Sequence, residues 1–190
     1  RKCPGLMVVP SRFDFYIKCS RRMMGLLEEY TPDHEKFSID EIFLDMTETI
    51  HLFGEPLATA CQIRERIKDE LGFTVNIGIS SNKLLAKMAS DFEKPDRCHT
   101  LFPHEVPAKM WPLPIRELFF VGSAAQKKME ALGLHTIGQL AACDLELLKA
   151  HLGKRYAVLI HQYANGVDVD PVEERDPINK AYGNSVTLSR

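Results

Sequence analysis

Apolar residues recur along this chain with two periods, and the change from one to the other divides it. Over residues 13–30, Phe13, Tyr16, Ile17, Met23, Met24 and Leu27 share one face at the 3.6-residue period and predict a helix. Pro32 ends it, because proline disfavours the helical conformation at Thr31. Residues 37–47, "FSIDEIFLDMT", then read as a β-strand rich in Phe, Ile and Leu. In a second helix Leu57, Ala60, Ile63, Ile67 and Leu71 step by three or four residues, with Arg64, Glu65, Lys68 and Asp69 off that face. Gly72 suits its C-terminal cap. Residues 73–80, "FTVNIGIS", predict the next strand, so strand, helix and strand form a right-handed βαβ unit. A third helix follows a cap at Ser81 or Asn82, turns Leu84, Leu85, Met88 and Phe92 inward, and runs to Pro95. Residues 98–102, "CHTLF", read as a short edge strand, and residues 6–9 near the start are strand-like too. Strands and helices thus alternate around one sheet up to about residue 102.

The texture then changes. Five of the 11 prolines lie between Pro95 and Pro114, which marks a boundary. Beyond it the pattern is helical, over residues 124–131, 136–142 and 144–164. The last of these carries Leu145, Leu148, Leu152, Tyr156, Leu159 and Tyr163 on one face, with Asp144 as N-cap and Asn165-Gly166 as stop. Residues 167–190 are acidic, then extended, and read as a linker. Both ends look cut, so the chain is expected to be a piece of a longer protein.

Composition narrows the class. With 190 residues, 45% hydrophobic and 26% charged, the chain is of globular type. No apolar run approaches the roughly 18 residues of a membrane span. The net charge of −2 gives no global nucleic-acid signature, so any such site is a local patch. Cys3, Cys19, Cys61, Cys98 and Cys143 are widely spaced, with no CxxC, which argues against a zinc site or disulfide framework and for a reducing cytoplasm. The seven histidines form no HxxxH or HExxH pair and are expected to be structural or surface groups.

Three features carry candidate chemistry. Asp40 and Glu41 adjoin in the middle of an apolar strand, where alternation sends one of them to the packed side. A solvated strand end would tolerate both, but the apolar flanks do not require one. A buried unpaired carboxylate costs several kcal/mol, and Mg²⁺ removes that cost with its charge and its preference for oxygen ligands. For both acids to reach one metal, the strand must bulge, twist or end near residues 38–41. Second, Lys83, Lys87 and Lys94 form a basic stripe opposite the apolar face of the third helix. Such a stripe is usually a solvated face, yet beside paired acids it suggests a nucleoside triphosphate with Mg²⁺. No GxxxxGK[ST] loop is present. Third, "FFVGSAAQKKMEALGLHTIGQL" joins short helices through glycine turns, whose backbone N–H groups can bind phosphate without reading sequence. Residues 103–165 hold seven Lys/Arg against five Asp/Glu, so this part is mildly basic.

"FSIDEIFLDMT", "VNIGISSNKLLAKMASDFEKP" and "VGSAAQKKMEALGLHTIGQLA" resemble, in order and spacing, the palm and thumb of the Y-family (ImpB/MucB/SamB-type) translesion DNA polymerases, and the resemblance covers nearly the whole chain. It implies an α+β fold: a palm with a mixed ferredoxin-like β-sheet and packed helices, then a small all-α thumb with helix-hairpin-helix turns. The implied units are the C-terminal part of a palm over 1–102, a thumb over 103–166, and a linker with the first strand of a little finger over 167–190. By the resemblance Asp40 and Glu41 are two of three catalytic carboxylates that hold two Mg²⁺ ions. Lys94 contacts the dNTP triphosphate, and Asp45 is structural. Val121, Gly122, Ser123, Lys127 and Lys128 belong to the turn that grips DNA. Primer-template DNA and dNTP are the implied partners, with a sliding clamp reached through a C-terminal region outside the chain, in the cytoplasm of a bacterium and with no membrane.

The chain also departs from the family pattern. The Asp-x-Asp strand with the third carboxylate is not among these residues, nor are the fingers. The chain alone is therefore expected to be inactive, without metal, and with Asp40 partly exposed. The thumb's usual Gly-Val-Gly reads Phe120-Val121-Gly122, which would weaken the backbone grip or give a different turn. The alternatives are a catalytically inactive polymerase-like DNA-binding or regulatory protein, and a nucleotide cyclase, which leaves the glycine turns unexplained.

Overall fold

The computed structural model describes residues 3–173 and 183. The order is α1 (Phe13–Leu27), β1 (His34–Lys36), β2 (Ile42–Leu44), α2 (Pro56–Leu71), β3 (Ile77–Ile79), α3 (Lys83–Ser90), β4 (Cys98–Thr100), α4 (Val106–Lys109), α5 (Ser123–Ala131), α6 (Ile137–Ala141), α7 (Leu145–Leu152) and α8 (Lys154–Ala164). The α+β class is as expected, and the expected long strand is corrected. Residues 37–47 do not form one strand. β1 and β2 pair antiparallel with Glu35 opposite Phe43, and the chain turns between them. The N–H groups of Phe37 and Ser38 donate to the Glu41 carbonyl at 3.0 and 3.1 Å, which closes a loop of Ser38, Ile39 and Asp40. The Ser38 hydroxyl, 2.8 Å from Asp40 Oδ1, supports that loop as short polar side chains do in turns.

The expected single sheet is also corrected. The described strands make two pairs, β1–β2 antiparallel and β3–β4 parallel. No ladder joins β2 to β3. Both line a cleft of about 1180 Å³ instead. The βαβ unit is β3–α3–β4, because α3 packs closely on β3. A Cβ on Gly78 would lie 1.8 Å from the Ala86 carbonyl oxygen, so only glycine allows that approach. Residues 6–9 form no strand and are exposed.

Two apolar clusters hold the elements. Met23, Leu26, Leu27 and Tyr30 of the first helical arm pack on Ile63 and Ile67 of α2, against Ile42, Leu44 and Ile77 of the strands. The second cluster joins Leu84, Leu85 and Met88 of α3 to Met110, Met129, Ile137, Leu148 and Ile160 of the helical half. The apolar face of α3 therefore belongs to the helical core, and its lysines look the other way. Gly72 ends α2 at φ +79 and Asn82 caps α3 by accepting from Leu85 N–H at 2.8 Å, both as the pattern predicts. The predicted helix over 144–164 is two helices, because Gly153 adopts φ +87, ψ +146 and interrupts it. Its apolar period survives since α7 and α8 face the same core. No helix among the described residues is long and apolar enough to cross a membrane. The expected strand beyond residue 173 lies outside the described residues, save Gly183.

Candidate active site

The hairpin loop resolves how two adjacent carboxylates can sit together. Asp40 is the last loop residue and is exposed, and Glu41 pairs with Phe37 at the base of the loop. The loop breaks the alternation, so the two side chains no longer have to diverge across a sheet. Ser38 Oγ is 2.8 Å from Asp40 Oδ1 and 3.5 Å from Glu41 Oε2, which places both carboxylates around one hydroxyl. Asp45 faces a different task. Its Oδ1 accepts from Thr47 N–H at 2.9 Å and its carbonyl accepts from Thr31 Oγ1 at 2.7 Å, so it closes the turn after β2.

The lysines expected as a basic stripe lie against acids. Lys83 and Lys87 project from α3 toward the hairpin and are only 12% and 15% exposed. Lys83 Nζ lies 2.8 Å from Glu35 Oε2 on β1. Lys87 donates to Glu41 Oε1 and sits 3.0 Å from Asp91 Oδ2. Lys94 is not on the helix, which stops at Ser90; it is 58% exposed and 2.7 Å from Asp91 Oδ1. A continuous line of alternating charge thus runs Glu41, Lys87, Asp91, Lys94, of which Glu41, Lys87 and Lys94 line the cleft.

The two central charges, Lys87 and Asp91, are tuned by their neighbours. Burial pulls Lys87 down, but its bonds to Glu41 and Asp91 outweigh that and leave it above the ordinary lysine value. Burial likewise pushes Asp91 up, and the contacts from Lys94 and Lys87 reverse the sign and hold it below the ordinary carboxylate value. Sequence reading missed Glu35 and Asp91. Asp91 was legible at four residues from Lys87 and three from Lys94. Glu35 was not, because the strand carrying it is three residues long.

The chain following α8 is tied back to this wall. Asn82 Nδ2 donates to the Gly166 carbonyl at 3.0 Å, and Asp168 Oδ2 accepts from Leu84 N–H at 3.1 Å at the start of α3. Glu173 N–H donates to Glu35 Oε2 at 3.3 Å. Elsewhere, burial and the neighbouring Cys61 thiol push Cys98 up to about 12, so the Cys98 thiol stays protonated at neutral pH.

In the helical half, Val121 is partly buried and Gly122 and Ser123 are exposed, with Gly122 as N-cap of α5 and no side chain capping it. Lys127 and Lys128 are exposed on the same helix. Phe120, where the resemblance expects glycine, has φ +67. Phe120 thus adopts the left-handed backbone that favours glycine, and Tyr156 O–H donates to the Phe120 carbonyl at 2.9 Å. Trp111 fixes the adjoining turn through Nε1–H donated to the Ala164 carbonyl at 3.0 Å, and Gly138 packs against its Cβ.

An α+β unit with paired carboxylates on a hairpin tip, followed by short helices and glycine turns, is the palm-and-thumb arrangement of template-dependent polymerases. Residues 1–91 match the family described as impB/mucB/samB, and residues 116–168 match the thumb domain of DNA polymerase iota. The chain belongs to this family, the Y-family DNA polymerases. It is 50% identical over 190 residues to DNA polymerase IV of Clostridium acetobutylicum, covering 100% of this chain and 47% of that one. With DNA polymerase IV 1 of Bacillus subtilis the identity is 45%, over 100% of this chain and 45% of the relative. The crystal structure of DinB from Sulfolobus solfataricus matches with TM-score 0.80 and 29% identity, over 90% of this chain and 50% of that one. An insertion ternary complex of Dbh DNA polymerase matches with TM-score 0.79 and 29% identity, over 90% and 50%. The chain spans about half the length of the curated relatives it matches.

Proposed function

We propose that the full-length protein is a template-directed DNA polymerase of the translesion type, adding nucleotides from dNTPs to a primer 3′-OH in the bacterial cytoplasm. The observation that carries the reading is the carboxylate pair at the hairpin tip, with Lys94 at the far end of one charged wall. Two neighbouring carboxylates around a hydroxyl are hard oxygen donors of the kind Mg²⁺ takes. Asp40 and Glu41 would hold it. Among the described residues no cluster of three ligating His, Cys, Asp or Glu occurs, so a further donor must come from outside them. When bound, Mg²⁺ supplies charge neutralisation at the attacking and leaving oxygens. Lys94, exposed on the cleft wall, offers its ammonium to the leaving pyrophosphate charge. Primer-template DNA would reach the exposed turn of Val121, Gly122 and Ser123, with Lys127 and Lys128 as phosphate contacts. The proposed units are the palm over 1–102, the thumb over 103–166 and a linker over 167–190.

A second reading, a polymerase-like DNA-binding or regulatory protein without catalysis, is favoured by one observation: Lys87 already compensates Glu41. Primer extension by the full-length protein separates the two. Asp40→Ala and Glu41→Ala should each lower extension on the order of 10²- to 10³-fold while DNA binding persists. Full activity in both variants rejects the metal assignment, and no extension by the wild type selects the second reading. The 190-residue chain alone should extend nothing.

A further inference from the structure

A string of aromatic rings runs from the acid-bearing hairpin to the glycine turn. Phe37, whose N–H donates to the Glu41 carbonyl at 3.0 Å, is the last residue before the loop that holds Asp40. Its ring packs edge-on to Phe43 with centroids 5.7 Å apart, and it reaches Phe119 at 6.0 Å. Phe119 lies 4.3 Å from Phe120, whose ring is 6.2 Å from Tyr163 on α8. The spacings of 5.7, 6.0 and 6.2 Å lie in the range where rings attract beyond simple burial. The two ends are fixed differently. Phe119 and Val121 pack on the core of the helical half, and the Phe120 carbonyl is held by Tyr156. Phe37 stays 44% exposed, too exposed to be explained as core packing.

We infer that Phe37 and Phe119 are positioning residues, whose ring contact sets the register between the Asp40–Glu41 hairpin and the Val121–Gly122–Ser123 turn. The inference rests on the polymerase reading above. A turn that grips the duplex backbone fixes where the primer end lies, while the hairpin fixes where the acids lie. Phe37–Phe119 is the aromatic contact between them. Losing it leaves each grip intact and loosens their relative placement. Small misplacements of reacting groups cost rate steeply.

The test is single-turnover nucleotide addition by the full-length protein at saturating primer-template and dNTP, with the DNA Kd measured beside it. Phe37→Ala and Phe119→Ala should each slow addition about 5-fold, with DNA Kd changed less than about 2-fold. The double variant should be no slower than the slower single one, because both remove the same contact. Phe37→Tyr should recover the wild-type rate. Phe37→Leu, which keeps apolar bulk without a ring, serves if Phe37→Ala fails to fold, and should be slow as well. Wild-type rates in both single variants, additive losses of about 25-fold in the double variant, or a Kd rise that accounts for the slowing each overturn the inference. An active wild type with unaffected variants overturns the ring contact alone, whereas an inactive wild type overturns the polymerase reading and the inference with it.

Discussion

Lys87 and Glu41 form an ion pair between helix and hairpin across 46 residues of sequence. The pair locks α3 to the loop that carries Asp40. Lys87 is 15% exposed, and it also meets Asp91, so removing it takes the cation from Glu41 and leaves Asp91 with Lys94 alone. Lys87→Met should destabilise the protein by about 1–3 kcal/mol at pH 7, below the range for fully buried pairs because Glu41 is partly solvated. The pH dependence has a definite sign. Folding raises Lys87 above its ordinary value of about 10.4. Its contribution is therefore complete below that value and disappears as pH rises through the folded one. Urea unfolding from pH 8 to 11.5 should show wild type and Lys87→Met converging at the alkaline end. A constant gap would remove the pair from the stability account.

Gly78 is the point where β3 meets α3, and α3 carries Lys83 and Lys87. A methyl there would lie 1.8 Å from the Ala86 carbonyl oxygen and 2.5 Å from Ser90 N. Both are backbone atoms, which have no rotamer to retreat into. Gly78→Ala should cost about 3 kcal/mol, the upper end for overpacking, and it should displace the lysine wall. Denaturant unfolding gives the first number; a loss under 1 kcal/mol would mean that α3 moves freely on β3.

Phe120 separates backbone strain from side-chain packing. At φ +67 a side chain costs about 1–2 kcal/mol. The ring returns part of that through Phe119 at 4.3 Å. Phe120→Gly relieves the strain and loses the ring, so its net effect should be near zero. Phe120→Ala loses the ring and keeps the strain, and should be less stable than Phe120→Gly by about 1 kcal/mol. Equal stability of the two variants in urea would show that the turn relaxes out of the left-handed region.

Local signals carried most of the helices. The steps from Leu57 to Leu71, the cap at Asn82 and the stop at Gly72 need only neighbouring residues, and each appears where the period places it. The hairpin was hidden because β1 is three residues of His, Glu and Lys, with no apolar alternation to reveal it. Its partner strand was overdrawn for the opposite reason: Phe37 and Ile39 look like strand residues but sit at a loop. Broken strand geometry at residues 38–41 was nonetheless deducible, since two adjacent acids serving one site conflict with strict alternation. The pairing of Lys83 with Glu35 and of Lys87 with Glu41 was not, because those partners are 48 and 46 residues apart. Gly153 did announce the break between α7 and α8, but the unbroken apolar steps around it read through the interruption.

The mild basicity of the helical half has its own consequence. Lys127 and Lys128 are exposed on α5, in the second turn after the Gly122 cap. If each neutralises one DNA phosphate, binding by the full-length protein releases a counterion per lysine, and log Kd depends on log salt with a slope of about 0.9 for each contact on duplex DNA. Lys127→Ala and Lys128→Ala should each weaken binding uniformly across template sequences and flatten that slope by about one. Nucleotide addition at saturating DNA should stay near wild type, because neither lysine lies on the acid-bearing wall. Fluorescence anisotropy with two unrelated primer-templates, from 50 to 300 mM salt, measures all of this. An unchanged slope in both variants would place the DNA backbone away from α5, and a sequence-dependent loss would mean that these lysines read bases rather than phosphates.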